Sequence, residues 1–147
     1  MITGGKFAKL LTRNDIGVTN SHQAGVHVPK SEDGPLSILP WLDPTIKNPE
    51  AYIYCEDEQG LEWRFRFIYY NSKLHSSCDQ QNGIKKGGTR NEYRLSLVRP
   101  YLTHCRAEVG DCLVLRPLCS NRYSISLRKN TSETVSIVKL KGWQRVD

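Results

Sequence analysis

No hydrophobic run in this sequence approaches the roughly 18 consecutive apolar residues that a membrane-spanning helix requires. The first residues, MITGGKFAKLLTR, also lack the apolar segment of a secretory signal. We therefore expect a cytoplasmic protein. The chain contains no internal repeat and no linker-like change of composition, and its 147 residues suit one domain with a substantial core. The prediction is a single domain over residues 1–147.

The number and spacing of the cysteines argue against a zinc site. The five cysteines are odd in number and include no C-x-x-C pair, and most lie among strand-like residues. Reduced, buried cysteines are the natural interpretation. A zinc site would need His75 and Cys78 together with His104 and Cys105, and this spacing matches no standard ligand pattern. We expect no metal site.

Recognisable catalytic motifs are missing as well. Metal-dependent nucleases commonly combine carboxylates that hold Mg²⁺ with a Lys two residues after one of them, and no Asp or Glu here has Lys at that spacing. The nearest patterns, at Glu62 and Glu92, end in Arg64 and Arg94, and Arg does not deprotonate. A G-x-S-x-G elbow and a P-loop lysine motif are also lacking. We expect no catalysis by this chain alone and no cofactor; a complete small nuclease with an unfamiliar site is the alternative.

Negative charge is in the minority. Lys and Arg number 21 against 15 Asp and Glu, which gives a net charge of +6 and a pI near 9.1. The basic excess lies in Ile84–Arg106 and near the C-terminus, whereas acidic residues crowd the middle of the chain. These are Asp43, Glu50, Glu56, Asp57, Glu58 and Glu62. A one-sided basic surface is the footprint expected of phosphate binding, so nucleic acid is the favoured partner.

Short alternating segments separated by turns predict a mainly β fold, a small barrel or sandwich of about seven strands with one or two short helices. The predicted strands are Lys6–Leu11, Gly25–Pro29, Ala51–Cys55, Leu61–Tyr70, Tyr93–Val98, Tyr123–Leu127 and Thr134–Leu140, with a helical turn as the alternative for the first. In Glu108–Leu115 a Gly-Asp turn is predicted to lead into a further, apolar strand. The four prolines of Ser31–Pro49 predict a loop with at most one helical turn around Leu36–Leu42. Leu97–Arg106 is predicted to form a short helix with Pro100 in its first turn.

One strand alternates more clearly than the rest. Its apolar face, predicted to lie in the core, comprises Leu61, Trp63, Phe65, Phe67 and Tyr69. A platform on which single-stranded nucleic acid stacks is the alternative use of that aromatic face. Ile38, Trp41 and Leu42 are predicted to fix the proline-rich loop to the core.

The most informative segment is Ile84–Arg99, IKKGGTRNEYRLSLVR, in which a basic glycine-containing loop leads into an alternating strand. Tyr93, Leu95 and Leu97 are expected to point one way, and Arg94, Ser96 and Val98 the other. Arg can bond both major-groove acceptors of guanine, and Glu can accept from the cytosine amino group. Arg90 and Glu92 could therefore read one G·C pair from both sides, although a solvated surface loop is the simpler use of such a charge run.

A second polar stretch, Thr12–Lys30, is rich in turn-forming residues and short hydrogen-bonding side chains. We call its part before the predicted strand, Thr12–Gly25, the first arm, and we call Asn71–Arg94 the second arm. Base-edge bonds could come from Asn20, His22, Gln23 and Asn91, while Lys and Ser or Thr side chains would hold phosphates. Asn71 itself is expected to form a strand-end turn rather than to read a base.

Three blocks in order, NDIGVTNSHQAGVHVP, FIYYNSK and GGTRNEYR, resemble the N-terminal effector domain of EcoRII-type restriction endonucleases. The resemblance implies a DNA-binding pseudobarrel like that of plant transcription-factor domains, whose two arms read a short major-groove site, CCWGG in EcoRII-like members. It also implies a separate nuclease domain of the same full-length enzyme, regulated by this one, and a prokaryotic cytoplasm. His22 falls on a DNA-contacting position of the first arm, and Arg90, Glu92 and Arg94 fall on contacting positions of the second.

The sequence departs from the family pattern at three positions. His27 stands where the family can have tyrosine, and Gly88 and Tyr93 stand where it carries lysines; Lys85 and Lys86 are expected to replace the lost charge. The full set of candidate DNA-binding residues is Asn20, Ser21, His22, Gln23, Lys85, Lys86, Thr89, Arg90, Asn91, Glu92, Tyr93 and Arg94.

Overall fold

In a computed structural model of the protein, the structure describes residues 5–17, 25–71, 91–129 and 142–146. These contain eight strands, one short α-helix and one 3₁₀ turn at Pro35–Ser37. The strands are β1 (Lys6–Leu10), β2 (Val26–Val28), β3 (Glu50–Glu56), β4 (Glu62–Tyr70), β5 (Glu92–Ser96), β6 (Cys112–Cys119), β7 (Arg122–Arg128) and β8 (Trp143–Val146). The helix, α1, spans Arg99–His104.

All eight strands form one sheet in the order β2-β5-β4-β3-β7-β6-β1-β8. The β3–β7 pairing is parallel and the other pairings are antiparallel. The longest antiparallel pairs, β3–β4 and β6–β7, are hairpins with short connections, as period-two segments separated by turn residues predict. Asp57 closes the first hairpin, because its Oδ1 accepts from the amides of Gln59 and Leu61, each at 2.9 Å.

The sheet curls around a main apolar core, and its two edge strands meet. β2 and β8 are the outermost strands, and the indole Nε1 of Trp143 donates to the His27 carbonyl oxygen at 2.8 Å. Trp143 is fully buried and belongs to the same core as Phe65, Phe67 and Leu95. A side-chain hydrogen bond therefore closes the seam of a half-barrel that backbone pairing leaves open.

The predicted strands at residues 6–11, 25–29, 51–55, 61–70, 108–115 and 123–127 all correspond to observed strands within a few residues. The predicted helix is α1, with Pro100 in its first turn. Thr134–Leu140 lies outside the described residues. β8 was not predicted.

The alternation predicted for Tyr93–Val98 is correct up to Ser96 and wrong beyond it. Leu97 adopts a left-handed φ of +67°, which turns the chain and reverses which side chains point inward. As a result, Leu97 is 47% exposed and Val98 is 1% exposed, the opposite of the prediction.

Two further core predictions are wrong. Trp41 is 80% exposed, because Ile38, Leu39 and Leu42 occupy the positions of this loop that reach the core. Leu61 is 46% exposed because it lies in the hairpin turn before β4 begins.

The cysteine prediction is correct for part of the described set. Cys55 and Cys112 are buried free thiols, whereas Cys105 is half-buried and Cys119 is exposed. Burial raises the pKa of Cys55 to about 12, which keeps this thiol protonated and unreactive. No helix in the described part of the chain is long and apolar enough to span a membrane.

Candidate nucleic-acid interface

The two arms join the barrel on neighbouring strands. The first arm runs into β2, and the second leaves β4 after Tyr70 and returns into β5 at Glu92. β5 lies between β2 and β4, with His27 and Ile68 both opposite Arg94 in register. The end of the first arm and both ends of the second arm therefore lie on one three-stranded patch of the sheet, whereas the first arm starts after β1.

The start of the first arm is fixed by a buried ion pair. Nζ of Lys9 lies 2.9 Å from Oδ2 of Asp15, and the side chains are 4% and 6% exposed. The same carboxylate oxygen accepts from the Thr12 amide at 3.0 Å, and the Asp15 amide donates to the Thr12 hydroxyl at 3.3 Å. Because breaking a buried pair leaves an uncompensated charge, typically at a cost of about 3–5 kcal/mol, this turn is firmly held. The helix α1 adds a contact from Arg99, whose Nη2 lies 3.4 Å from the Asn14 carbonyl oxygen.

The start of the second arm is fixed by Asn71. This side chain is fully buried; its Nδ2 donates to the carbonyl oxygens of Pro44 (3.2 Å) and Ile46 (2.9 Å). Its Oδ1 accepts from the Asn48 amide at 2.6 Å, and its own amide donates to Asn48 Oδ1 at 3.1 Å. Asn71 thus ties the end of β4 to the proline-rich loop, in the strand-end role expected for it.

The far ends of the two arms meet at Arg94. Its Nε donates to Oε2 of Glu92 at 2.5 Å, and its Nη1 donates to the Gly25 carbonyl oxygen at 3.1 Å. Glu92 belongs to the second arm, and Gly25 is where the described structure resumes in the first arm. One guanidinium therefore bridges both arms.

Successive side chains of β5 point alternately into the barrel and away from it. Tyr93 and Leu95 point into the barrel, and the Tyr93 ring stacks on Tyr69 at 4.3 Å between centroids and on Phe67 at 5.5 Å. Burial, followed by the nearby Tyr69, raises the pKa of Tyr93. Glu92, Arg94 and Ser96 occupy the alternate, outward positions. Tyr93, a predicted DNA-binding residue, is thus placed with its ring against the core.

Charge is unevenly distributed along β4. Its outward positions Arg64 and Arg66 lead toward the second arm, while Glu56, Glu58 and Glu62 surround the hairpin turn at the other end. Glu62 is partly neutralised by Arg122, whose Nη2 lies 2.6 Å from Oε2. The acidic turn lies at the end of β4 remote from the second arm, so it does not oppose a polyanion bound at the arms.

Comparison with known families identifies the chain. Residues 4–99, which are 96 of the 147 residues, match the family described as restriction endonuclease EcoRII, N-terminal. The chain belongs to this family. The matched range covers both arms and ends at the first residue of α1.

The fold of this EcoRII N-terminal domain is also that of a solved plant protein. The structure titled as an Arabidopsis FUS3–DNA complex is similar with a TM-score of 0.55 and 23% identity, over 84% of this chain and 96% of that one. This confirms the mainly β pseudobarrel, and because 84% of the chain is covered, the similarity extends beyond the family match. The comparison with curated proteins gave no match.

In this EcoRII N-terminal domain, the described candidate residues are Asn91, Glu92, Tyr93 and Arg94, and the structure brings Glu92 and Arg94 into direct contact. Eight candidates lie outside the described residues: Asn20, Ser21, His22, Gln23, Lys85, Lys86, Thr89 and Arg90. Their contacts with DNA stay predictions. In the described ranges, no three or more His, Cys, Asp or Glu side chains form a group able to hold a metal ion.

Sequence reasoning missed the residues that hold the arms. Lys9 lies between Phe7 and Leu11 on the same inward face, and a lysine at an inward position is a recognisable signal of a buried ion pair. Glu92 and Arg94 are two residues apart in a strand, so they share a face and can pair. The contact of Arg94 with Gly25, 69 residues away, has no local signal.

Proposed function

We propose that this chain binds double-stranded DNA sequence-specifically, with its two arms in the major groove, and recognises a CCWGG-like site. In this proposal it acts as the effector domain of a restriction endonuclease, and a separate nuclease domain of the full-length enzyme responds to binding. Family membership over both arms supports this assignment, as does similarity in fold to a protein solved with DNA.

The observation that carries the proposal is the junction at Arg94. A carboxylate suited to cytosine, Glu92, and the end of the first arm, Gly25, are bonded to the same guanidinium. Two segments that start from one hydrogen-bonded unit can hold one duplex between them. The arms also differ in composition from the barrel, because they supply guanine- and phosphate-binding side chains such as Arg90 and Lys86.

The aromatic face of β4 is buried, which argues against the alternative that single-stranded nucleic acid stacks on it. Phe65 and Phe67 are fully buried and Tyr69 is 9% exposed, so these rings belong to the core and do not offer a stacking surface. Trp63 is half-buried, and its indole nitrogen donates to Asp57 at 3.0 Å. The geometry favours a duplex held by the arms over a strand stacked on the sheet.

A binding assay separates the candidates. The purified chain is incubated with Mg²⁺ and labelled duplexes with or without CCWGG, and with the corresponding single strands. Preferential binding of the CCWGG duplex without cleavage supports the proposal. Metal-dependent cutting would indicate a complete nuclease, and equal or better affinity for single strands would overturn the duplex assignment.

Two substitutions in the second arm test which residue contacts a base and which contacts a phosphate. Arg90→Ala should reduce discrimination at one G·C position by about 1–3 kcal/mol, because a bidentate guanine contact is lost. Lys86→Ala should weaken all duplexes alike and lower the slope of log K against log[salt] by about 0.9, because one phosphate contact is lost. Identical behaviour of the two variants on specific and random duplexes would contradict these roles.

A further inference from the structure

The outward face of β4 carries two arginines that belong to neither arm, Arg64 and Arg66, which we call the outer arginines. Outward side chains alternate through Arg64, Arg66 and Ile68 toward the end of the strand where the second arm begins. Ile68 lies opposite Arg94 in register, and Arg66 lies opposite Ser96. Since two residues of a strand span about 6.8 Å, Arg66 is one such step and Arg64 two steps from the row that contains Arg94.

Arg66 is held beside the end of the first arm. Its Nε donates to the Ser96 hydroxyl at 3.1 Å, and Ser96 adjoins Gly25, because a Cβ built on Gly25 would lie 2.8 Å from Cα of Ser96. Nη1 of Arg66 lies 3.4 Å from Oε1 of Glu50, and these two side chains are 32% and 41% exposed. Solvent screens an ion pair of this kind, so Arg66 stays available to a second anion.

Arg64 is exposed, and its guanidinium lies over the Tyr52 ring, 4.6 Å from the ring centroid. The ring attracts the positive charge and orients the side chain without neutralising it. Among the described residues, no carboxylate forms an ion pair with Arg64. Glu62, two residues away on the same face, is paired with Arg122 at 2.6 Å. An oriented guanidinium without a carboxylate partner is suited to bidentate bonding of a phosphate.

We propose that Arg66 and Arg64 bind successive phosphates of one DNA strand as the duplex leaves the recognised site. Two observations favour this occupant: the charge of the outer arginines is complementary to phosphate, and they continue, on one face, from the candidate DNA contact Arg94. One strand of duplex DNA advances about 3.4 Å per nucleotide, so steps of about 6.8 and 14 Å along β4 correspond to about two and four nucleotides beyond Arg94. This inference rests on the proposed function, because it extends the contact with the duplex assigned there.

The test measures the slope of log K against log[salt] on two duplexes that carry CCWGG, with flanks of about one and about six base pairs on each side. On the long duplex, Arg64→Gln and Arg66→Gln should each reduce the magnitude of the slope by about 0.9, because each removes one phosphate contact. On the short duplex, Arg64→Gln should leave the slope unchanged, because the flanking phosphates are absent. Discrimination between CCWGG and an altered site should not change in either variant, because phosphate contacts carry no sequence information.

The matched control is Arg116→Gln. Arg116 is exposed on β6, three strands from β4 in the sheet, and its loss changes the net charge by the same amount without touching the outer arginines. Both slopes should be unchanged in this control. Arg64→Lys should restore most of the slope, because lysine also binds phosphate, as a point charge. Thermal unfolding of Arg64→Gln should match that of the unsubstituted chain, because the side chain is exposed.

Several results would overturn the proposal. An unchanged slope for Arg64→Gln on the long duplex would exclude the phosphate contact, and an equal reduction on both duplexes would place that contact within the recognised site. A reduction of the same size in Arg116→Gln would attribute the effect to net charge. A loss of discrimination in Arg64→Gln or Arg66→Gln would make that arginine a base reader. If the unsubstituted chain itself does not prefer the CCWGG duplex to other duplexes and single strands, the proposed function fails, which is a different outcome from these.

Discussion

Replacement of Gly25 by alanine tests whether the first arm is held directly against β5. Gly25 has a φ of +83°, and a Cβ built on it would lie 2.3 Å from the carbonyl oxygen of Leu95 and 2.8 Å from Cα of Ser96. Both are backbone atoms of a strand that is itself paired with β4. The collision can be relieved only if β2 moves away from β5.

Gly60 supplies a matched control for the magnitude. It has the same φ of +83° and no atom within 4 Å of a built Cβ, so Gly60→Ala measures only the cost of a positive φ, about 1 kcal/mol. Gly25→Ala adds the separation of a three-residue strand pair, and each lost hydrogen bond contributes about 1 kcal/mol. We expect Gly25→Ala to lower the free energy of unfolding by about 3 kcal/mol more than Gly60→Ala, or Tm by about 6–12 °C.

Urea unfolding of the two variants measures this difference, and amide hydrogen exchange in β2 locates it. Exchange at Val26 and Val28 should accelerate in Gly25→Ala and stay unchanged in Gly60→Ala. Duplex discrimination should fall in Gly25→Ala and not in Gly60→Ala, because the carbonyl oxygen of Gly25 accepts a hydrogen bond from Arg94 and holds the end of the first arm. Equal unfolding midpoints for the two variants would refute the close contact of the first arm with β5.

Two further predictions concern the body of the barrel. Trp143→Phe should lower the free energy of unfolding by about 2–4 kcal/mol, because it removes the hydrogen bond to His27 and leaves a cavity. The control is Trp41→Phe, at a residue 80% exposed, which should change the free energy of unfolding by no more than about 0.5 kcal/mol in the same urea titration. Asp57 has a pKa below its ordinary value of 3.8. Burial alone would raise this pKa, but the hydrogen bonds from Trp63, Leu61 and Gln59 together lower it by more than burial raises it. The ionised group therefore stabilises the fold at neutral pH, and this contribution is lost as pH falls through the lowered pKa. Asp57→Asn should lower stability at pH 7 by about 1–2 kcal/mol, with the difference shrinking between about pH 5 and pH 2; a constant difference across that range would contradict the assignment.

The sequence predicts the strands whose pattern is local. β4 and β6 are identified by uninterrupted apolar alternation or runs, and the β3–β4 hairpin by the turn residues between its strands. The mainly β class and the short helix with Pro100 in its first turn follow from the same local signals. These features depend on residues only a few positions apart, so a single sequence contains them.

Features that depend on distant contacts could not be predicted in this way. β8 has four residues and lies at the edge of the sheet, where it is stabilised by Trp143 and by pairing with β1. The reversal at Leu97 follows from one left-handed residue, which tertiary packing imposes on a residue type that does not favour it. Leu42 and Trp41 are adjacent apolar residues of one loop, and only the assembled core determines which of them is buried.

In the candidate site, too, the sequence indicates some residues and not others. Arg90 and Glu92 could be proposed as base readers because the chemistry of guanine and cytosine edges selects those side chains. Two of the contacts that hold the arms have a local signal: Lys9 and Asp15 are six residues apart, and Glu92 and Arg94 are two residues apart in a strand. The contact of Arg94 with Gly25 spans 69 residues and has none.

The described parts of the family's sequence blocks contain supporting residues as well as candidate readers. Asp15 neutralises a buried lysine, Asn71 ties β4 to a loop, and Arg94 joins the arms. We expect substitution of Asp15 or Asn71, neither of which is a candidate DNA-binding residue, to weaken the proposed DNA binding by loosening the start of an arm. Loss of affinity alone therefore cannot assign a residue of this domain to base recognition. Base discrimination, salt slope and unfolding free energy respond differently to a reader, a phosphate contact and a support, so the three must be measured on the same variants.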